Sequence, residues 1–194
     1  MKKEFSTIDI TRLTSKEKIF ELVGDGARPS DMCETLPGFI HESEFENISG
    51  KLGVSIEELK KNFLREISAY NEKLHKPKHE AIEKRLGFKP TSTFHELPYG
   101  KCVFLNRDKP NKHECMLGDA MPMHCKIASE SNHSEKLHAW YLLNHAVDAD
   151  DPNSLREWAI YLKTHATIPG GELHELVPDS SKLKSILQND VDEN

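Results

Sequence analysis

SIEELKKNFLREISAYNEKL, residues 55–74, is the most regularly patterned stretch of this 194-residue chain. Ser55 stands three residues before Glu58, the spacing of a capping box, in which the hydroxyl accepts an orphan amide at the helix start and the carboxylate reaches back. Ile56, Leu59, Phe63, Ile67, Tyr70 and Leu74 then recur at steps of three or four. The spacing predicts one amphipathic helix from Ser55 to Leu74. Pro77 interrupts it, Glu80 to Leu86 resumes it briefly, and Gly87 followed by Pro90 ends it.

Towards the amino terminus, Thr14-Ser-Lys-Glu17 repeats the capping spacing, and Ile19, Phe20, Leu22 and Val23 follow at helical intervals. That short helix is expected to end near Gly24-Asp25-Gly26. A loop with Arg28-Pro29, Cys33 and Pro37-Gly38 comes next, then a second short helix from Glu42 to Leu52 closed by Gly53. Beyond the central stretch, residues 91 to 132 read as mostly irregular, and only Cys102-Val-Phe-Leu105 has strand composition, enough for a hairpin or one small ribbon. Two helices follow, Ser134 to Val147 and, after Asp151-Pro152 as a start signal, Leu155 to Ala166. Pro169-Gly170-Gly171 is a turn, and Ser180 to Leu187 forms a last helix before an acidic tail. No internal repeat interrupts this order.

With 37% hydrophobic and 30% charged residues, the chain has material for a thin core that calls for a staple. The most apolar run, Leu137 to Val147, holds two histidines and an asparagine and falls short of the ~18–20 apolar residues of a membrane span. No membrane partner is expected. The opening MKKEFSTIDITRLTSKEK scatters charge where a secretory signal carries continuous apolar sequence, so a cytoplasmic protein is the expectation. The 26 basic and 32 acidic residues give −6, which argues against a nucleic-acid coat. One stretch departs from this. Between Glu72 and Lys89 six basic residues face three acidic ones, and taking that +3 out of −6 leaves −9 for the rest. A solvated helical face is the simplest account of the basic run.

Cys33, Cys102, Cys115 and Cys125 all lie in segments read as irregular. In a reducing compartment four loop thiols suit metal ligation better than two bridges, although isolated core cysteines and redox thiols remain alternatives at this point. Four thiolates complete either a tetrahedral zinc site or an iron–sulfur cubane. The spacing lacks a CxxC knuckle.

The segment Leu97-Pro-Tyr-Gly-Lys-Cys102-Val-Phe-Leu-Asn, then Cys115, then Met121-Pro122-Met-His-Cys125-Lys126, resembles the second half of the YkgJ-type cysteine-cluster family, described as zinc- or iron-chelating proteins. That half reads C-V-F-L, a further cysteine, and R-P-x-x-C-R. The family's helical "lg-s-eel" phrase is similar to Leu52-Gly-Val-Ser-Ile-Glu-Glu-Leu59. Its amino-terminal C-x-x-C-x-x-C-C element is reduced here to Cys33, and Met121 replaces the arginine before the proline. The resemblance covers roughly residues 30–126 and implies one centre held by Cys33, Cys102, Cys115 and Cys125, a [4Fe–4S] cluster by a small margin over Zn²⁺. Met116, Met121, Met123, His113 and His124 crowd the last two cysteines with donors that copper(I) accepts, though such methionines ordinarily fill gaps and His124 suits a hydrogen bond to a ligand better than ligation.

Residues 134–147 carry apolar side chains round nearly the whole helix, with His138 and His145 on one narrow line and Tyr141 beside it. Seven residues separate the two imidazoles, a rise of ~10.5 Å, too far for one metal without both leaning inward. Satisfied core histidines are the simpler assignment, a proton-transfer pair the other, and any activity is expected to bring one of them within reach of the metal. His165, in line with Trp158 and Leu162, takes the same core assignment. Phosphate-binding, Rossmann, nucleophile-elbow and H-E-x-x-H patterns do not occur.

The fold class that follows is mainly α, an irregular helical domain with a loop-rich, metal-stapled middle and at most a small β-ribbon. One domain spans 1–194, with a cysteine-bearing region at about 28–130 and a helical extension at about 131–188. Its expected function is an iron–sulfur or zinc protein serving a redox or modification system, acting on a protein or small-molecule partner. A non-enzymatic interaction module stapled by structural zinc is the alternative.

Overall fold

The computed structural model of the chain describes residues 9–23, 33, 38–70, 72–78, 101–106, 114–128 and 134–188. The expected helix resumption at Glu80 to Leu86, the Arg28-Pro29 loop, residues 91–100 and His113 lie outside the described residues. The described elements are mostly helical. They run α1 (Lys16–Val23), α2 (Phe45–Leu52), α3 (Ile56–Glu58), β1 (Leu64–Ala69), β2 (Glu72–Pro77), β3 (Leu105–Asn106), β4 (Glu114–Cys115), α4 (Met123–Ala128), α5 (Ser134–His145), α6 (Pro152–Leu162), α7 (Leu173–Leu176) and α8 (Ser180–Gln188).

The Ser55 capping box forms as expected, with the Glu58 amide donating to Ser55 Oγ at 3.2 Å and the Ser55 amide to the Glu58 carboxylate at 2.9 Å. The helix beyond it does not. A single π-turn over Leu59–Phe63 follows α3, and from Leu64 the chain is an antiparallel hairpin, β1 against β2, turning through Tyr70 at φ 55°. Ile67 and Leu74, seven apart in sequence, are partners across the ribbon. Seven residues return a helix to the same line and also separate facing partners in a tight hairpin, so the pattern fits both.

Pairing on the hairpin's edge decides the outcome. The Ile40 amide donates to the His75 carbonyl at 2.8 Å, adding a bridge beside β2. The Lys78 amide donates to the Phe63 carbonyl at 2.7 Å, and Val103 to Lys78 at 2.8 Å. A helix through 64–74 would forfeit these tertiary bonds. A second two-stranded ribbon pairs β3 with β4. The expectation of at most one small ribbon is therefore corrected to two.

The carboxy-terminal half follows the sequence more closely. On α5, Leu137, Ala139, Trp140, Tyr141, Leu142 and Leu143 are all buried, as an apolar helix requires. Its indole Nε1 at Trp140 donates to the Thr14 carbonyl at 2.8 Å, tying the amino-terminal segment down. Asp151 caps α6 by accepting the amides of Asn153 and Ser154, with Pro152 in the first turn. Helix α6 ends at Leu162 rather than Ala166, and the His165 ring, instead of entering a core, is exposed and stacks on Tyr161 at 4.3 Å. Ile10, Ile19, Leu155, Trp158 and Ile168 complete the core around α5.

A smaller core gathers Ile40, Phe45, Ile48, Leu59, Leu64, Phe104 and Leu117, and Cys102 belongs to it while Cys33 and Cys115 pack on its border. Helix α4 contributes Met123 and Ile127 to the larger core. Among the described residues no helix is long and apolar enough to cross a membrane.

Trp158 is fully buried and its Nε1 donates to the Gly171 carbonyl at 2.8 Å, holding the turn after α6 against the core. Trp158→Phe keeps most of the apolar surface but strands that carbonyl, with an expected loss of about 1–3 kcal/mol in urea unfolding.

Candidate metal centre

Contrary to the sequence expectation, Cys33 has helical backbone, Cys115 lies on β4 and Cys125 lies within α4. Short elements bring them towards one another. The Cys102 amide donates to the Cys33 carbonyl at 2.8 Å, spanning most of the sequence gap between them. Three residues on, Leu105 faces Cys115 across the second ribbon, and Met116 closes the turn by donating to the Phe104 carbonyl at 2.8 Å. Cys125 is reached from another direction. The Gly38 backbone runs so close that a Cβ there would stand 3.0 Å from Cys125 Sγ and 2.7 Å from His124 Nδ1. Only glycine fits that approach.

No disulfide joins the four cysteines. Burial pushes the Cys125 thiol well up, and Cys102, Cys33 and Cys115 add to the shift in that order. Burial likewise raises Cys102, opposed by the Phe104 amide and reinforced by Cys33 and Cys115. Cys115 is raised by burial first and by Cys33 among other groups. Each of the four is thus close enough to another to penalise a second thiolate. At neutral pH the thiols of Cys102, Cys115 and Cys125 stay protonated until a cation offsets the charge, and a bound metal inverts that preference. Among the described residues no group of three or more His, Cys, Asp or Glu side chains is arranged to hold a metal ion.

His124, adjacent to Cys125, is fully engaged through both nitrogens. Its Nδ1 accepts the Phe39 amide at 2.9 Å, so the proton sits on Nε2, which donates to His138 Nδ1 at 2.9 Å. His138 then carries its own proton on Nε2. The hydrogen-bonding role expected of His124 fits this geometry, and His138 reaches the cysteine region through it. His145 does not. It sits against His41 and Tyr141 and lines a separate cavity. Met121 and Met123 are buried, and Met123 belongs to the larger core, whereas Met116 is exposed.

Lys76, one of the basic residues read from the sequence as a solvated helical face, lies instead on β2 and is buried. It is 8% exposed, its ammonium lies 4.5 Å from the Phe39 ring centre, and burial lowers it to about 8 despite the opposing pull of Cys125. A cation held this near the thiols favours negative charge on them. Lysine in a strand normally reads as solvent-facing, and alternation along β2 gives no warning that Lys76 and its neighbour His75 are both buried.

Compared with protein-family models, curated proteins and solved structures, the chain matches none. Two outcomes follow from its own geometry. Gly38→Ala forces His124 and Cys125 aside and is expected to cost about 1–3 kcal/mol by thermal unfolding. Burial lowers His124, and lowers His138 and His145 to about 4 each. The unfolded chain gains protons below about pH 6.5 that these imidazoles refuse, so stability is full above that pH and falls towards pH 4, by about 1.4 kcal/mol per unit for each neutral imidazole. The raised thiols act oppositely, and metal-free protein loses stability as pH rises beyond about 8.5, where unfolded cysteines ionise first. Urea midpoints across the range check both limbs.

Proposed function

We propose that the protein is a metal-centre protein in which Cys33, Cys102, Cys115 and Cys125 hold one centre, a [4Fe–4S] cluster in preference to Zn²⁺. One observation carries it: the Cys102 amide donates to the Cys33 carbonyl at 2.8 Å, and Leu105, three residues on, pairs with Cys115, so cysteines distant in sequence converge, in agreement with the mutual raising of their thiols. The order C-V-F-L, Cys115, P-x-x-C-K, similar to the YkgJ-type family, supports the same four ligands and the preference for iron and sulfide.

The donor set is chemically apt. Thiolates are soft ligands for zinc and for iron–sulfur clusters, and the low-dielectric setting that now keeps these thiols neutral strengthens their bonds to a cation. When bound, a cluster supplies one-electron redox chemistry. The chain supplies the rest: Gly38 admits Cys125, the Phe39 amide and His138 fix the His124 ring, and Lys76 offsets part of the negative charge of four thiolates. The cytoplasm, a redox or modification partner and a small-molecule or protein substrate belong to this proposal. A zinc-stapled interaction module is the second reading, favoured by the place of Cys102 inside an apolar core.

Anaerobic purification with visible absorption, iron, sulfide and zinc analysis decides between them. Brown protein with iron and sulfide is expected; colourless protein with one zinc per chain supports the second reading, and colourless, metal-free, folded protein overturns both. Serine variants at each cysteine are expected to lose metal equally. Cys33→Ser, which opens a loop of about seventy residues, should destabilise nearly as much as Cys125→Ser, because each leaves three thiolates and an open coordination position. A Cys33→Ser variant with unchanged metal and a cost of about 1 kcal/mol or less removes Cys33 from the ligand set.

A further inference from the structure

On the other side of the Gly38–His41 segment lies a cavity of about 300 Å³ whose wall includes His41, Glu42, Lys73, His75 and His145. Among the described residues, His75 Nδ1 and His145 Nε2, on side chains that line it, are buried without a hydrogen-bond partner. Buried polar atoms are rarely left this way, and two of them on one cavity wall mark a place where something polar belongs. The rings of His41 and His145 stand 5.3 Å apart. A neighbouring cavity of about 370 Å³ shares His145 and is lined by Arg12, Lys16 and Asn144.

The chemistry of this wall selects the ligand. His41 Nδ1 accepts the Ser43 amide at 3.2 Å, so its proton is on Nε2 and the ring is a donor. Lys16 faces His145, and Lys60 faces His75. The carboxylates that face His75 each have a lysine of their own, Glu42 with Lys60 at 3.4 Å and Glu66 with Lys73 at 3.3 Å. Those two pairs cancel, and the cations left over are Lys16 and Arg12 on the cavity that shares His145, a surplus that favours an anion over a metal cation. The cavity is also larger than a single ion needs and lies at the small end of ligand pockets.

We propose that this cavity binds a small anionic ligand through an oxyanion headgroup, carboxylate or phosphate-like, held by the imidazoles of His41, His75 and His145. The site stands independently of the cysteine centre. It also gives a place to part of the basic run at residues 72–89, since Lys73 and His75 lie on β2. Burial lowers His145 and His75; His41 and Lys16 add to the first, while at the second Lys60 adds and Glu42 and Glu66 oppose. An anion reverses that bias. Binding therefore draws a proton from solvent onto an imidazole and tightens as pH falls, by about tenfold per pH unit for each proton taken up.

Long-range proton–nitrogen NMR of the imidazoles, recorded on the intact chain, tests this with two probes whose charge is constant from about pH 6 to pH 8. Sulfate stands for the tetrahedral headgroup and acetate for the carboxylate. Expected is a saturable shift of the His75 and His145 ring nitrogens towards imidazolium with at least one probe, tighter at the lower pH, and the probe that binds names the headgroup. His145→Asn and His75→Asn should each weaken binding about tenfold, the worth of one charge-assisted hydrogen bond, while His174→Asn on exposed α7 leaves it unchanged. Three results overturn the proposal: no response of the wild-type rings to either probe, the same response in the His75→Asn/His145→Asn double variant, or a response to Zn²⁺ alone. The wild-type titration decides even where a variant fails to fold.

Discussion

Four residues, Gly38 to His41, carry the constraint on which the rest of the architecture depends. Successive amides of an extended chain point opposite ways. Phe39 sends its amide to His124 on α4, and Ile40 sends its own to the His75 carbonyl on β2. One short segment therefore holds the helix bearing Cys125 against the hairpin bearing Lys76. Gly38 permits the approach because no Cβ intervenes. Shift this segment by one residue and the two amides exchange partners, which separates the hairpin from α4.

The interior it encloses is unusual in its polarity. Thiols, imidazoles and one lysine are buried where leucines would ordinarily serve. Desolvation keeps the raised thiols and the lowered imidazoles neutral at pH 7, whereas Lys76, lowered only to about 8, stays largely protonated there. Such an interior is poised to accept compensating charge. The proposed cation belongs on the thiol side, where the cysteines penalise a second negative charge, and the proposed anion on the imidazole side, where Lys16 acts on His145. The two preferences have opposite sign and lie on opposite faces of residues 38–41.

Local signals in the sequence were legible where they were short-range. The Ser55 box, the Asp151 cap, the Gly53 stop at φ 67° and the apolar girth of α5 each depend on residues within a turn or two, and each forms. The hairpin was not legible, because Ile67 and Leu74 satisfy helical and cross-strand spacing alike. Cys125 was misplaced for a different reason: a six-residue helix is too brief to establish a period. The four cysteines were identifiable by type, but their approach depends on a bond from residue 102 to residue 33 that no pattern encodes. The burial of Lys76 and the assembly of His41, His75 and His145 from three distant segments left no local trace.

His138 and His145 show how one spacing acquires two meanings. Seven residues along α5 put ~10.5 Å between them, which argued against a shared metal. In the fold the same separation assigns each to a different site. His138 accepts from His124 and so supports the ring beside Cys125, whereas His145, two turns on, meets His41 at the cavity. Tyr141 lies between them and touches both sides, its ring 4.6 Å from His124 and 4.9 Å from His145, with a buried hydroxyl lacking a partner. Burial raises that phenol and holds it neutral, as Glu44 and Cys125 do further. Because α5 is buried on nearly every face, neither imidazole can swing to serve the other site without repacking the larger core. The helix thus fixes the distance between the proposed metal centre and the proposed anion cavity.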